Sequence, residues 1–186
     1  MNNKRIVVVH GYTASPKRHW FPWLMDVGHK NGYEVLIPEL PDSDNPELDK
    51  WLLKLKCDVG VIDNNTWVVG HSLGCITALK YLANQSESDN PAGIIMVSGF
   101  KESLELLPQL NEFTASKLNF DRIVDKIKNR FSIISLNDNI VLPEQSLRFS
   151  QKIDAYVYGV PGCGHFLDID GVTSLPLLTT IFESYS

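Results

Sequence analysis

Short apolar runs rich in β-branched residues alternate with amphipathic stretches along this 186-residue chain. Such runs are typical of strands buried on both faces of a parallel sheet, and amphipathic stretches are typical of the helices that cover it. The alternation therefore predicts a single α/β domain over residues 1–186, a three-layer sandwich with about six parallel strands and helices on both faces. The runs predicted as strands are Ile6–Val9, Tyr33–Ile37, Trp67–Val69, Ile94–Val97, Phe131–Leu136 and Ala155–Tyr158.

Proline marks the predicted starts of the first two helices. Ser15-Pro16 offers an N-cap residue followed by proline at the first helical position, which predicts a helix as far as about Lys30. Asn45-Pro46 repeats this signal, and apolar residues then recur at spacings of three and four as far as Ile62. Two later helices are predicted over Glu144–Lys152 and Ser174–Tyr185.

The segment Phe100–Asn119 interrupts the alternation. It is too apolar for a solvated loop and too irregular for one long helix. We expect either a short excursion over the strand ends, which acts as a lid or as a wall of a pocket, or an ordinary helical crossover of extra length.

The sequence Gly70-His71-Ser72-Leu73-Gly74 lies between a strand-like run and a run that favours a helix. In that setting G-x-S-x-G predicts a sharp strand-to-helix turn that exposes the serine hydroxyl at the end of the strand, and the glycines avoid crowding there. His71 is predicted as a packing or hydrogen-bonding residue. Ser72 is therefore a candidate nucleophile, which needs a base, a group that orients the base, and donors for an oxyanion.

The base and its orienting acid are expected later in the chain, each just beyond a strand and in the order acid, then histidine. Asp138 follows the fifth predicted strand and His165 lies in a glycine-flanked loop after the sixth. A neutral imidazole can accept the serine proton near physiological pH. Asp138 could instead only close an Asx turn. The competing acids are Asp154, which precedes its strand, and Asp168 and Asp170, which follow the histidine.

Two backbone N–H groups are predicted to bind the oxyanion. One belongs to Leu73, directly after the serine, and the other comes from the loop after the first strand, where Tyr12 is best placed. Tyr12 could alternatively serve only as a wall of the pocket.

Composition restricts the class of partner. The net charge of −5 and the lack of a Lys/Arg cluster argue against nucleic acid as the main partner. The apolar run near the first residue is too short for a signal peptide, and no stretch is long enough to span a bilayer. Three cysteines without a CxxC pair predict reduced thiols in a cytoplasmic protein, with no metal site; they are Cys57, Cys75 and Cys163.

Six segments together resemble one family, the small α/β-hydrolases that include retinoblastoma-binding protein 9 and the bacterial YdeN-like serine hydrolases. The segments are His10–Pro16, Trp20–Trp23, Ile37–Pro41, Gly70–Cys75, Asn137–Val141 and Gly162–Phe166. The resemblance implies a minimal α/β-hydrolase fold with little or no cap, and a catalytic triad carried by Ser72, Asp138 and His165.

The activity expected from this resemblance is acyl transfer to water, with a small carboxyl ester ahead of thioesters and amides as the substrate. No metal and no organic cofactor is expected to take part. Trp20, Trp23 and Phe100 are predicted to line the substrate pocket, and the missing cap predicts a preference for short acyl groups. The alternative is a protein-interaction module with a vestigial or incidental hydrolase site, whose protein partner is unknown.

Overall fold

The computed structural model describes residues 4–86 and 90–185 and contains a six-stranded sheet in which all neighbouring strands are parallel. The strand order is β2-β1-β3-β4-β5-β6. The strands are β1 (Arg5–Val9), β2 (Glu34–Leu36), β3 (Thr66–His71), β4 (Gly93–Val97), β5 (Arg130–Ser135) and β6 (Tyr156–Val160). This is the predicted three-layer α/β architecture, and the prediction of the fold class is confirmed.

Helices cover both faces of the sheet and form two separate apolar cores. On one face, helices contribute Trp51, Leu79 and Phe149; on the other, they contribute Phe21 and Phe182. None of the helices in the described ranges combines the length and the apolar character that crossing a lipid bilayer requires. The helices are α1 (Phe21–Lys30), α2 (Leu48–Val59), α3 (Leu73–Ala83), α4 (Asn111–Ala115), α5 (Phe120–Lys126), α6 (Pro143–Lys152) and α7 (Leu177–Tyr185).

The strands differ in how far they are covered. Strands β3 and β4 are buried along their whole length, as the continuous apolar runs predicted. Strand β6 is different, because it forms an edge of the sheet and exposes 64% of Tyr156 and 43% of Val157. The prediction that this last run is buried on both faces is wrong, since an edge strand has a neighbour on one side only.

The first helix begins later than Ser15-Pro16 predicts. Residues 16–20 form turns, and His19 adopts a positive φ of 59°, which a continuing helix does not allow. The Arg18 side chain and the His19 backbone both bind the carboxylate of Asp168, so a contact distant in sequence holds these turns. The second helix likewise begins at Leu48 rather than beside Pro46, and it ends at Val59, short of the predicted Ile62, because Gly60 adopts a φ of 69°.

The Phe100–Asn119 segment is an irregular excursion between β4 and α5. It contains a 3₁₀ turn at Pro108–Leu110 and the single-turn helix α4. Its inner side is anchored in the core by Phe113, which is 0% exposed, and by Leu110, which is 2% exposed. It therefore replaces a long crossover helix by a short packed segment at the end of the sheet that carries Ser72.

Candidate active site

The turn between β3 and α3 holds Ser72 in a backbone conformation that few residues adopt, with φ 54° and ψ −122°. The chain is so tightly packed there that only glycine fits two residues before and two residues after the serine. A Cβ at Gly70 would lie 2.6 Å from the Cα of Cys75, and a Cβ at Gly74 would lie 2.0 Å from the carbonyl oxygen of Val9. The G-x-S-x-G sequence therefore forms the predicted strand–turn–helix junction.

Ser72, His165 and Asp138 form a hydrogen-bonded chain at the carboxyl ends of the strands. The distance from Ser72 Oγ to His165 Nε2 is 2.9 Å, and that from His165 Nδ1 to Asp138 Oδ2 is 2.7 Å. A carboxylate can only accept, so Nδ1 carries the proton and Nε2 is left as an acceptor for the serine hydroxyl. All three side chains are largely buried. The structure thus brings together the three residues that sequence reasoning selected.

The carboxylate of Asp138 is held by hydrogen bonds to both oxygens. Oδ1 accepts from the N–H groups of Ile140 and Val141, each at 3.0 Å. Oδ2 accepts from Ser98 Oγ at 2.8 Å in addition to the imidazole. Burial alone would raise the pKa of Asp138, but the hydrogen bond and charge of His165 outweigh it, so that the pKa lies below its ordinary value. Asp138 is therefore a fixed anion beside the ring.

The competing acids have other positions. Asp154 pairs with Arg130 at the opposite end of β6, with its side chain 87% exposed. Asp168 binds Arg18 through its carboxylate. Asp170 accepts from the backbone N–H of His165 at 2.8 Å, and so supports the histidine through its main chain rather than its ring.

The loop that carries His165 is fixed from three sides. Asp170 binds the N–H of His165, and His71 Nε2 donates to the carbonyl of the same residue at 2.9 Å. Asn137 Oδ1 accepts from the N–H of Gly164 at 3.3 Å. Gly164 itself has a φ of 51°, and a Cβ there would lie 2.4 Å from the carboxylate carbon of Asp170. The position of the imidazole therefore depends on contacts to the backbone around it.

His71 is an uncharged part of this support. Its side chain is 2% exposed, and its Nδ1 has no hydrogen-bond partner among the described residues. Burial lowers the pKa of His71 well below the ordinary histidine value, and the neighbouring His165 and His19 lower it further, while the bond to the His165 carbonyl acts in the opposite direction. A neutral ring at this position adds no positive charge beside His165.

The two predicted oxyanion donors lie at the start of α3 and in the loop after β1. Leu73 is the first residue of α3, where the backbone N–H has no carbonyl partner within the helix. Tyr12 borders the same cavity as Ser72 and His165. The loop after β1 approaches the serine closely, because a Cβ at Gly11 would lie 3.0 Å from Ser72 Cβ.

A cavity of about 660 Å³ opens beside Ser72 and His165. The three aromatic residues predicted to line it lie elsewhere: Trp20 and Phe100 are 0% and 1% exposed in the two cores, and Trp23 packs against the core that contains α1. The prediction of a pocket role for these aromatic residues is wrong, because their side chains complete the cores. The apolar lining comes instead from leucines of the Phe100–Asn119 segment and from the loops after β5 and β6.

Sequence reasoning missed the residues that support the hydrogen-bonded chain. Ser98 directly follows β4, so the rule used to find Asp138 and His165 also points to it, although serine after a strand is a weak signal. Asn137 and Asp170 act on backbone N–H groups of the histidine loop, and no sequence pattern identifies such a pairing.

Comparison with known proteins agrees with the fold and with the family resemblance. YdeN of Bacillus subtilis (strain 168) is 38% identical over 182 residues, which cover 98% of this chain and 96% of YdeN. The crystal structure of the ydeN gene product has a TM-score of 0.93 and 98% coverage of both chains. The serine hydrolase RBBP9 of Rattus norvegicus is 21% identical over 149 residues, which cover 79% of this chain and 77% of that protein.

The family assignment extends over nearly all of the sequence. The serine hydrolase family model matches residues 6–184, a range that includes every residue of the hydrogen-bonded chain. The resemblance derived from the six sequence segments is thereby confirmed. This chain belongs to the serine hydrolase family.

Proposed function

We propose that this hydrolase cleaves small carboxyl esters through an acyl-enzyme intermediate on Ser72. The observation that carries the proposal is the hydrogen-bonded chain itself, with 2.9 Å between Ser72 Oγ and His165 Nε2 and 2.7 Å between His165 Nδ1 and Asp138 Oδ2. These distances are short enough for proton transfer in both directions without a rearrangement of the ring.

In the proposed first step, Ser72 Oγ attacks the ester carbonyl while its proton moves to His165 Nε2. The negative charge then rests on the former carbonyl oxygen, which the N–H groups of Leu73 and Tyr12 bind. The carbon–oxygen bond to the alcohol breaks, and His165 returns the proton to the leaving oxygen. Asp138 stays ionised and stabilises the imidazolium.

In the second step a water molecule takes the place of the alcohol. His165 removes a proton from the water as it attacks the acyl-serine, and the proton then returns to Ser72 Oγ as the acid leaves. Each reacting atom is supplied by the side chains, the ester and water. We also propose, from the cysteine pattern, that the protein acts in the cytoplasm.

Labelling with a fluorophosphonate probe tests the assignment of the nucleophile. We expect covalent modification of Ser72, complete loss of labelling in Ser72→Ala, and unchanged labelling in Ser103→Ala. Ser103 is the matched control because it is an exposed serine that borders the same cavity outside the hydrogen-bonded chain. The same Ser72→Ala protein should lose hydrolysis of p-nitrophenyl acetate.

The protein-interaction alternative predicts a different result. A folded wild-type protein that neither reacts with the probe nor hydrolyses any ester would refute the proposed activity and leave the interaction module as the better description. Circular dichroism on the same samples shows that the protein is folded.

A further inference from the structure

The cavity beside Ser72 has an apolar lining that the proposed chemistry alone does not require. Leu104 and Leu110 are 7% and 2% exposed and lie deep, whereas Leu106 is 86% exposed. On the other side, Ile140 and Leu142 are 40% and 52% exposed. Large apolar side chains around one opening, next to a serine, indicate a surface that an apolar ligand removes from water. The aliphatic residues of the lining are Leu104, Leu106, Leu107, Leu110, Ile140, Leu142 and Leu167.

The charges of the lining restrict the ligand further. Glu105 is the carboxylate among the lining residues, and neither lysine nor arginine is among them. A substrate with a carboxylate or phosphate on the part that enters the cavity would therefore meet like charge and no cation to neutralise its own. This favours a neutral ester over thioesters of anionic carriers and over esters of dicarboxylic acids.

The wall formed by residues 101–114 is tied to its surroundings. At its start, Arg148 makes two hydrogen bonds to the carboxylate of Glu102, at 2.7 and 2.6 Å. Further along, Gln109 Nε2 donates to the hydroxyl of Tyr12 at 3.2 Å, which joins the wall to the loop of the proposed oxyanion donor. The apolar cavity is thus formed before a ligand binds, and little ordering is needed on binding.

We propose that this cavity binds the acyl chain of a neutral, medium-chain ester, with about six to ten carbons in the chain. This inference rests on the proposed function and adds its substrate class. At roughly 30 Å³ for each non-hydrogen atom, about 660 Å³ holds on the order of 20 such atoms, enough for an octanoyl chain and a small alcohol. It replaces the short acyl preference expected from the sequence, because the Phe100–Asn119 segment supplies an apolar wall without a cap domain.

A series of p-nitrophenyl esters from acetyl to palmitoyl, each below its critical micelle concentration, tests the proposal. Burial of each additional methylene should raise kcat/KM about threefold to fourfold. We expect a rise of at least about 100-fold from acetyl to octanoyl, followed by a fall for palmitoyl, whose chain exceeds the cavity. A flat profile, or an optimum at acetyl, would overturn the inference.

A second substrate pair isolates the effect of charge. The p-nitrophenyl monoester of adipic acid has the length of the hexanoyl ester with a carboxylate at its far end. We expect kcat/KM for the hexanoyl ester to be at least about 30-fold higher. Equal kcat/KM for the two esters would contradict binding of the acyl chain in a cavity that is lined by Glu105 and by no lysine or arginine.

Two variants test whether the wall formed by residues 101–114 determines how kcat/KM depends on the length of the acyl chain. Leu107→Ala should lower the ratio of kcat/KM for the octanoyl ester to that for the acetyl ester about 10-fold, whereas Leu147→Ala, at a 42% exposed leucine of α6 outside the lining, should leave this ratio unchanged. If Leu107→Ala unfolds, Leu106→Glu provides the same test, because Leu106 is 86% exposed and its replacement should also lower the octanoyl-to-acetyl ratio of kcat/KM.

The two proposals fail in different ways. Hydrolysis of the acetyl ester that Ser72→Ala abolishes supports the proposed function whatever the profile of chain lengths. With that activity present, an acetyl optimum refutes only the medium-chain inference. If no ester is hydrolysed and no probe bound, the proposed function itself is refuted, and the substrate class with it.

Discussion

Replacement of His71 by leucine is expected to reduce turnover without weakening substrate binding. His71 Nε2 donates to the carbonyl of His165 at 2.9 Å, and this is one of the contacts that fix the histidine loop. Leucine has a similar volume but no donor, so the carbonyl is left unpaired in a buried site and the loop relaxes. A displacement of about 1 Å in a reacting group costs on the order of 100-fold. We therefore expect kcat to fall about 10- to 100-fold, with KM unchanged.

The same variant should also change how the free energy of unfolding depends on pH. His71 stays neutral in the folded protein because burial lowers its pKa, whereas the unfolded chain takes up a proton below about pH 6.5. The unfolded state therefore binds more protons, and stability falls as the pH drops through that value. Between pH 7.5 and 5.5 the loss from one such histidine is about 1.4 kcal/mol. The decline in the free energy of unfolding should be smaller by about this amount in His71→Leu.

Urea denaturation at pH 7.5 and 5.5, together with steady-state hydrolysis of an acetyl ester, measures both effects. His71→Gln should recover part of kcat because its amide can donate, and His29→Leu, at an exposed histidine of α1, should leave kcat unchanged. Equal pH dependence of stability in wild type and His71→Leu would show that the ring takes up a proton as readily in the folded protein as in the unfolded chain. A rise in KM with unchanged kcat would refute the positioning role.

Three further substitutions test the support of the hydrogen-bonded chain. Asp138→Asn should lower kcat by on the order of 10,000-fold, because the amide can donate to Nδ1 of His165 and favours the wrong tautomer of the ring. The folded fraction measured by circular dichroism should stay high. A loss of kcat under tenfold would contradict the role of the carboxylate. Ser98→Ala removes one charge-assisted hydrogen-bond donor to Asp138, so the free energy of unfolding measured in urea should fall by about 1.5–3 kcal/mol. An unchanged midpoint of urea unfolding would show that the hydroxyl contributes nothing to stability. Gly164→Ala places a Cβ 2.4 Å from the Asp170 carboxylate carbon at a positive φ, so ester hydrolysis should fall at least about 10-fold, and full activity would show that the loop can shift without moving the imidazole.

The sheet could be predicted from the sequence because its central strands are continuous apolar runs. The meeting of Ser72, Asp138 and His165 could be predicted because parallel strands place their carboxyl ends at one edge of the sheet. Ser72, Asp138 and His165 each follow a strand, so their meeting point could be derived without coordinates. The exposure of the edge strand β6 could not be derived in this way, because the run Ala155–Tyr158 is as free of charged residues as a central strand.

Other features depend on contacts between distant parts of the chain. The late start of α1 follows from the ion pair of Arg18 with Asp168, 150 residues away. Residue type alone predicts a pocket role for the aromatic residues near the start of the chain, whereas the side chain of Trp20 completes a core. Which leucines of the Phe100–Asn119 segment face the cavity depends on the irregular path of its backbone, and a segment without a regular period gives no sequence signal for it.

The Phe100–Asn119 segment and the reacting groups occupy separate lengths of the chain. Ser72, Asp138 and His165 come from the turns after β3, β5 and β6, while the apolar wall is one continuous insertion after β4. Its inward residues, such as Phe113, must be retained because they complete a core. Cavity-facing positions outside the core, such as the 86% exposed Leu106, carry no such obligation, so mutation confined to one short stretch can redirect the enzyme to new substrates while its chemistry is inherited intact.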